Sequence, residues 1–392
     1  MRIGVLGLRG LPGVSGGIET HCEHLIGHLA RQRAGDEITV FGRRRYLAAE
    51  PGAHHGARVV ALWHAKSAKL ETLSSSLAAL LHARFALQAD VVHIHGICSA
   101  LLSPLARLLG MRVVVTHHGC DYKRQKWNRL ERSLLQAGEW CGATWADRII
   151  AVSPTIARDL SERYPHAQVR AIPNGADHLA AIRVEPGLAD AVIRKHGLED
   201  GPFAISVGRL DPDKGFDDLI AAHAESGWTG KLVIVGDDPR QSPYARGLLA
   251  KASPRLVFTG FLPATEIAAL LSRASLFVMP SHQEGFPIAA LEAAMAGTPL
   301  LLSDLPATRD LGLPERHYFP VGDIQGLARK LGEPHRSFAL ADRTGLEKYN
   351  WAAVAAATSA VYDEVIAKTR RQARLHAWPA PGHRAHVKTG RG

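Results

Sequence analysis

The chain lacks the marks of several protein classes. No apolar run approaches the ~20 residues that a membrane-crossing helix needs. Arg2–Leu8, short and broken by glycine, reads as a first strand rather than a signal sequence. Only four cysteines occur among 392 residues, with no C-x-x-C spacing. Cys22, Cys98, Cys120 and Cys141 are therefore expected to be reduced thiols in the cytoplasm. Acidic residues are missing from the end of the chain, where Arg370–Gly392 holds six basic residues and no Asp or Glu. Removing those six from the formal charge of +10 leaves +4 for the body. Nothing resembles a nucleic-acid module, so no nucleic-acid partner is expected. Residues 370–392, with Pro379 and Pro381, are expected to form a disordered basic tail.

What is present describes a globular enzyme. Hydrophobic residues make up 46% and charged residues 21%, and the length allows two separate cores. Strands are predicted at Ile3–Leu8, Glu37–Gly42, Arg58–Leu62, Asp90–His95, Arg112–His117, Asp147–Ser153 and Val169–Pro173. Helices lie between them, including Glu19–Gln32 and Asn128–Ala146. The second of these is expected to place Leu130, Leu134, Ala137, Cys141 and Trp145 on one apolar face. After the turn at Asn174-Gly175 the pattern repeats, with strands at Phe203–Val207, Lys231–Val235, Arg255–Thr259, Leu276–Pro280 and Pro299–Ser303, and an edge strand at His317–Val321. Continuous apolar strands in βα order predict α/β architecture: two Rossmann-like, doubly wound parallel sheets with ligands in the cleft at their strand ends. The domains are expected at residues 1–175 and 176–350.

Two segments of the second half carry the chemistry. In Ser281-His282-Gln283-Glu284-Gly285-Phe286-Pro287-Ile288-Ala289-Ala290-Leu291-Glu292, Pro287 reads as the first residue of a helix. Glu284 then lies in the strand-to-helix loop and Glu292 inside the helix. Backbone amides near Phe286–Ala289 offer a positive helix end to a phosphate, and the two carboxylates suit sugar hydroxyls. Gly208-Arg209-Leu210-Asp211-Pro212-Asp213-Lys214-Gly215 follows another parallel strand. There Arg209 offers a planar fork and Lys214 a point charge to phosphate oxygens. Either segment alone fits a solvated surface; together they describe a site for a nucleotide-diphosphate sugar.

Val207-Gly208-Arg209-Leu210-Asp211-x-x-Lys214-Gly215 and Glu284-Gly285-Phe286-Pro287-x4-Glu292-Ala-x-Ala294-x-Gly297-x-Pro299 resemble the donor motifs of glycosyltransferase family 4. The resemblance runs from Met1 to about Lys368. It implies the two-domain GT-B fold, with an acceptor-side first domain, a donor-binding second domain and a helix at 351–368 returning to the first. It also implies retaining transfer without a metal or other cofactor, by front-face attack within an ion pair. Arg209, Lys214, Glu284, Gly285, Phe286, Pro287, Ile288 and Glu292 would bind the donor, with Glu284 on the sugar and Glu292 on the ribose.

On the first-half side, Arg9–Gly17 is a glycine-rich loop opening a helix, although not a true G-x-G-x-x-G. The resemblance assigns Gly16 and Gly17 to the donor diphosphate and sugar. Glu19 reads as a first-turn dipole partner. In Val115-Thr116-His117-His118-Gly119-Cys120-Asp121, the resemblance assigns His118 to the reacting sugar and leaves His117 in the packing. His93-x-His95 and His117-His118 lack a Cys or carboxylate at regular ligand spacing, so no metal site is expected. Lys123, Arg124, Lys126, Arg129 and Arg132 form a basic stretch with Trp127. Two readings stay open for it: a solvated face, or a mouth for a lipid-pyrophosphate acceptor at an anionic membrane. Asp121, Lys123, Arg124 and Lys126 are accordingly candidates for the acceptor side.

Gly16-Gly17-x-Glu19-Thr20 with His118-Gly119-x-Asp121-x-Lys123-Arg124-x-Lys126-Trp127 resembles a subset of the family that builds bacterial surface polysaccharides, rhamnosyltransferases among them. The resulting expectation is transfer of a hexosyl or deoxyhexosyl unit (rhamnosyl, mannosyl or glucosyl) to a growing glycan or lipid-linked oligosaccharide. The enzyme is placed in the cytoplasm, at the inner face of the membrane if the basic stretch binds lipid. The alternatives are another GT-B enzyme such as a nucleotide-sugar epimerase or a phosphorylase, a non-catalytic sugar-binding relic, or a nicotinamide-dependent dehydrogenase. The phosphorylase lacks an identifiable pyridoxal-phosphate lysine, and the dehydrogenase lacks its fingerprint.

Overall fold

The computed structural model describes residues 1–14, 16–47, 52–67, 69–124 and 127–376. Strands β1 (Arg2–Leu6), β2 (Glu37–Arg43), β3 (Ala53–His54), β4 (Ala57–Leu62), β5 (Val91–His95), β6 (Arg112–His117), β7 (Arg148–Ala151) and β8 (Val169–Ala171) form one sheet. Its order is β3-β4-β2-β1-β5-β6-β7-β8. Strands β9 (Phe203–Val207), β10 (Lys231–Val235), β11 (Leu256–Gly260), β12 (Leu276–Met279), β13 (Leu300–Ser303) and β14 (Tyr318–Phe319) form the second, ordered β11-β10-β9-β12-β13-β14. All pairings are parallel except the short β3–β4 pair, which the sequence pattern did not indicate.

The apolar runs explain this arrangement. Most residues of β5, β6, β9, β10, β12 and β13 are buried. Such strands need cover on both faces, and their parallel pairing requires helical crossovers. In each sheet the winding reverses once, between β1 and β5 and between β9 and β12. Reversal points leave a crevice at the carboxyl ends of the strands. The loops after β1, β5 and β6 open there in one sheet, as do those after β9 and β12 in the other.

The halves are joined behind the crevice. One apolar cluster runs from Ile149, Val152 and Ile156 through Leu179 to Phe203, Leu270 and Leu302. The helix Trp351–His376 lies on the first half, where Val354, Val361, Tyr362 and Val365 pack with Leu25, Ile26, Leu29 and Val114. At its start Trp351 N–H donates to Asp177 Oδ1 at 2.9 Å. Gly175 lies so close that a Cβ there would stand 2.7 Å from the Trp351 ring.

Three expectations need correction. The last helix runs on to His376 rather than ending at Lys368, so the expected disordered tail begins as helix. Its reason is local, since Thr369-Arg-Arg-Gln-Ala-Arg-Leu-His376 contains no Gly or Pro and several good helix formers. The remainder of the expected tail, 377–392, lies outside the described residues.

The helix Arg129–Trp145, capped reciprocally by Asn128 and Glu131, buries Cys141 of the expected face but turns Leu130, Leu134, Ala137 and Trp145 outward. Leu130 is 80% exposed and Leu134 40%, with Trp145 also exposed, while Leu135, Gly138, Cys141 and Gly142 are buried. Gly138 sits against the Ile97 carbonyl, where a Cβ would come within 2.1 Å. The helix docks through Leu135 and its small residues and turns Leu130 and Leu134 outward.

Pro287 is the N-cap rather than the first residue of the helix Ile288–Ala296. Its φ of −85° and ψ of 72° make it the centre of an inverse γ-turn, in which Ile288 N–H donates to Phe286 O at 3.0 Å.

Candidate functional site

The loop after β9 presents Arg209 and Lys214. Asp211 caps the short turn Pro212–Lys214 through Asp213 N–H, and Gly215 closes it with φ of 64°. A Cβ at Gly215 would meet the Pro280 carbonyl at 2.1 Å, so the loop lies directly on the end of β12. That contact brings Lys214 to Glu284. Lys214 Nζ donates to Glu284 Oε1 at 2.7 Å, and Ser281 Oγ donates to the same oxygen at 2.6 Å.

Arg209 stands beside Asp211, at 3.3 Å. Burial, then Arg9, then Arg124 pull its guanidinium below the usual arginine range, against the opposing pull of Asp211 and Glu19. Three cations from three loops are therefore near enough to act on one another's charge in the crevice, with Lys214 on the same short loop as Arg209. Such a concentration of like charge suits an anion that collects all of them.

Arg9 follows β1. Its backbone N–H donates to Glu19 Oε1 at 3.0 Å, and its Nε lies 3.9 Å from that oxygen. Glu19, buried in the first turn of Gly17–Gln32, thus ties down the glycine-rich loop. Gly16, at φ 147°, caps this helix with Gly17 as its first residue. Arg9 was part of the glycine-rich segment in the sequence but carried no assignment.

Arg124, expected on the acceptor side, reaches across the crevice. Its Nε is 2.9 Å from Asp121 Oδ1 and 3.8 Å from Asp213 Oδ2, a residue of the loop after β9. Burial opposes its charge, but Asp121, Asp213, Asp211 and Glu284 outweigh that and push the guanidinium up. Asp121 serves as its partner. Lys123 is exposed, and Lys126 lies outside the described residues.

The two halves touch backbone to backbone here. A Cβ on Gly285 would lie 1.8 Å from His118 O, and one on Gly119 would lie 3.2 Å from Gly285 Cα. Gln283 Nε2 donates to Cys120 O at 2.7 Å. Glycine at 285 is what permits the loop bearing Glu284 to meet the loop bearing His118.

His118 is half-buried beside His95, with His95 Nδ1 and His118 Nε2 3.0 Å apart. Burial, followed by His21, His117 and His93, holds His118 well below the ordinary histidine range, so it is neutral at physiological pH. His117 points into the packing. Its Nδ1 accepts from Gly119 N–H at 3.3 Å, so Nε2 carries the proton towards Glu139 Oε2, 3.0 Å away.

Phe286 is buried against Tyr349. The Ile288 amide, expected to face a phosphate, is taken by the γ-turn to Phe286 O. This shifts the work of charge neutralisation towards the cations. Glu292 is buried in the helix Ile288–Ala296, with its Oε1 3.1 Å from His178 Nε2. Trp351 Nε1–H donates to His178 Nδ1 at 3.2 Å, which leaves the His178 proton on Nε2, facing Glu292. No spacing in the sequence signals His178, because it lies 114 positions from its carboxylate partner. Asp237, after β10, is tied to the loop that carries Arg209. Asp237 O accepts from Leu210 N–H at 3.1 Å, and its side-chain Oδ1 has no hydrogen-bond partner among the described residues.

Comparison with known proteins matches the two halves separately. Residues 15–178 fit the model described as Glycosyltransferase Family 4, and residues 189–332 fit that described as Glycosyl transferases group 1. Alpha-maltose-1-phosphate synthase of Mycolicibacterium smegmatis is 27% identical over 94% of this chain and 100% of its own length. Among solved structures, sucrose-phosphate synthase from Thermosynechococcus elongatus superposes with a TM-score of 0.76 at 23% identity, covering 94% of this chain and 99% of that one. Anabaena HepE in complex with UDP-glucose gives a TM-score of 0.67 at 17% identity, covering 96% and 99%.

Proposed function

Since the chain belongs to glycosyltransferase family 4 and has the GT-B fold, it is a glycosyltransferase, and we propose that it transfers a hexosyl or deoxyhexosyl unit from a nucleotide-diphosphate sugar, with retention and without a metal. One observation carries this reading: where both sheets reverse, Arg209 lies within electrostatic reach of Arg9 and Arg124, Arg124 approaches Asp213 of the loop after β9, and Lys214 on that loop pairs with Glu284. A diphosphate is the anion that such a set accommodates, and the likeness to a fold solved with UDP-glucose supports a nucleotide sugar. The fixed cations take over the charge neutralisation that a metal performs in other transferases.

The residues divide the work. Arg209 and Lys214 hold the departing diphosphate, with Arg9 and Arg124 closing over it. Glu284 is already committed to Lys214 and Ser281, which suits it to a sugar hydroxyl rather than to covalent attack. Glu292, steered by His178, receives the ribose hydroxyls. His118, neutral and beside the Gly119–Gly285 contact, hydrogen-bonds the sugar at the reacting centre. In the step itself the acceptor oxygen bonds to the anomeric carbon as the bond to the phosphate oxygen breaks. The acceptor's proton passes to the phosphate, on the same face of the sugar.

The acceptor is a growing glycan, lipid-linked in this reading. Exposed Leu130, Leu134 and Trp140 lie on the same helix as exposed Arg129 and Arg132. That combination suits shallow insertion at an anionic membrane. Among the described residues, no helix is long and apolar enough to cross one.

The test is transfer from a panel of UDP-, GDP- and dTDP-sugars, with the product anomer read by NMR in excess chelator. The reading requires an α-linked product from an α-configured donor, and turnover that survives the chelator. An inverted product, or complete loss restored only by metal, would overturn it.

A further inference from the structure

Three histidines from separate elements meet at the floor of the crevice. His21 comes from the helix Gly17–Gln32, His95 ends β5 and His118 follows β6. One ring nitrogen from each lies within 4.8 Å of the other two. The ring centroids are 4.8 Å apart for His21–His118, 5.3 Å for His95–His118 and 5.4 Å for His21–His95. Nitrogens bound at about 2.0–2.1 Å around a tetrahedral zinc stand roughly 3.4 Å apart. Small side-chain rotations therefore suffice to bring all three onto one ion.

The protonation pattern favours the same use. His21 Nδ1 lies 2.6 Å from Asn174 Oδ1, an oxygen that only accepts. The proton is thus on Nδ1, and Nε2 offers a lone pair. That Nε2 has no hydrogen-bond partner among the described residues although His21 is 2% exposed. His95 is fully buried, and its Nε2 has no hydrogen-bond partner among the described residues, while its Nδ1 shares a 3.0 Å hydrogen bond with His118 Nε2 that an ion would replace. A histidine whose outer nitrogen is fixed by an amide oxygen is oriented as metal-ligating histidines are.

A second group, His117, Cys120 and Glu139, is less suitable. Its carboxylate is already spent on Arg163 and His117, and both nitrogens of His117 are engaged. His93 is likewise engaged, with Tyr362 and Thr116.

We propose that His21, His95 and His118 form a binding site for a borderline divalent transition ion such as zinc, and that occupying it removes His118 from the transfer reaction. All-imidazole ligation selects zinc, cobalt, nickel or copper over magnesium and calcium. Of the three rings only His118 is partly exposed, so an ion enters from the crevice and its open position faces the donor sugar. The inhibition rests on the role given to His118 above; the binding site does not.

Cobalt(II) is the probe, titrated into chelator-treated full-length protein carrying His383→Asn and His386→Asn to remove histidines near the end of the chain. One equivalent is expected to bind with the visible spectrum of a four-coordinate nitrogen site, while magnesium does not compete. His21→Asn and His118→Asn should each weaken binding by at least about 10-fold, and Asn174→Ala by about 10- to 100-fold. Circular dichroism confirms folding, and His118→Asn at the crevice edge decides the matter if His21→Asn does not fold. Absence of saturable cobalt binding, or affinity unchanged in these variants, overturns the site. Zinc should inhibit wild-type transfer reversibly with chelator. Binding without inhibition would leave the site standing and overturn the role of His118.

Discussion

Glu284 and Glu292 are the same residue type eight positions apart, yet they have different neighbours, and the proposed roles differ accordingly. Glu284 shares one oxygen with Lys214 and Ser281 at the point where the two halves touch. Glu292 is held by His178, whose tautomer is fixed by Trp351. Glu284→Gln is therefore expected to lower kcat by about 10²-fold with little change in donor affinity. Glu292→Gln should instead weaken donor binding by about 1.5–3 kcal/mol, the worth of a charged hydrogen bond. Steady-state kinetics beside nucleoside-diphosphate binding separates the two, and equal, purely binding losses would show that Glu284 is misplaced. Both glutamates were legible in the sequence because one loop-helix segment carries them. His178, Arg9 and the reach of Arg124 were not, since each meets its partners only after distant elements fold together.

Strands were the most legible elements. Arg112–His117, Phe203–Val207 and Lys231–Val235 lie where their apolar runs put them, because a strand buried on both faces leaves little choice of side chain. The helix Arg129–Trp145 was legible in extent but not in orientation. Apolar periodicity pointed to Leu130 and Leu134, whereas close approach at Gly138 and Gly142 decided which side packs. The leucines and Arg129 and Arg132 consequently share an exposed surface. Replacing Leu130 and Leu134 with Ser, and Arg129 and Arg132 with Gln, is expected to abolish binding to anionic liposomes at low salt without affecting donor hydrolysis. Each basic residue contributes about 1 kcal/mol near such a surface, screened as salt rises. Co-sedimentation measures the effect. A wild-type protein that ignores anionic liposomes at low salt would refute the membrane contact and favour a soluble acceptor.

At the scale of the whole molecule, the account depends on two sheets turning their reversal points towards one crevice. The repeated βα order made the paired sheets readable, and the motifs after β9 and β12 located one wall. The other wall was faint, because its loops contribute single residues, and the meeting of Gly119 with Gly285 is a matter of backbone distance alone. The central claim is that both walls bind one diphosphate. Calorimetric titration with UDP, GDP, ADP and dTDP, comparing wild type with the folded Arg209→Ala/Lys214→Ala variant, tests it most directly. The account predicts that at least one nucleotide binds the wild type and that the double variant binds it about 10²-fold or more weakly. Equal affinity in both proteins would place the diphosphate elsewhere and contradict the account.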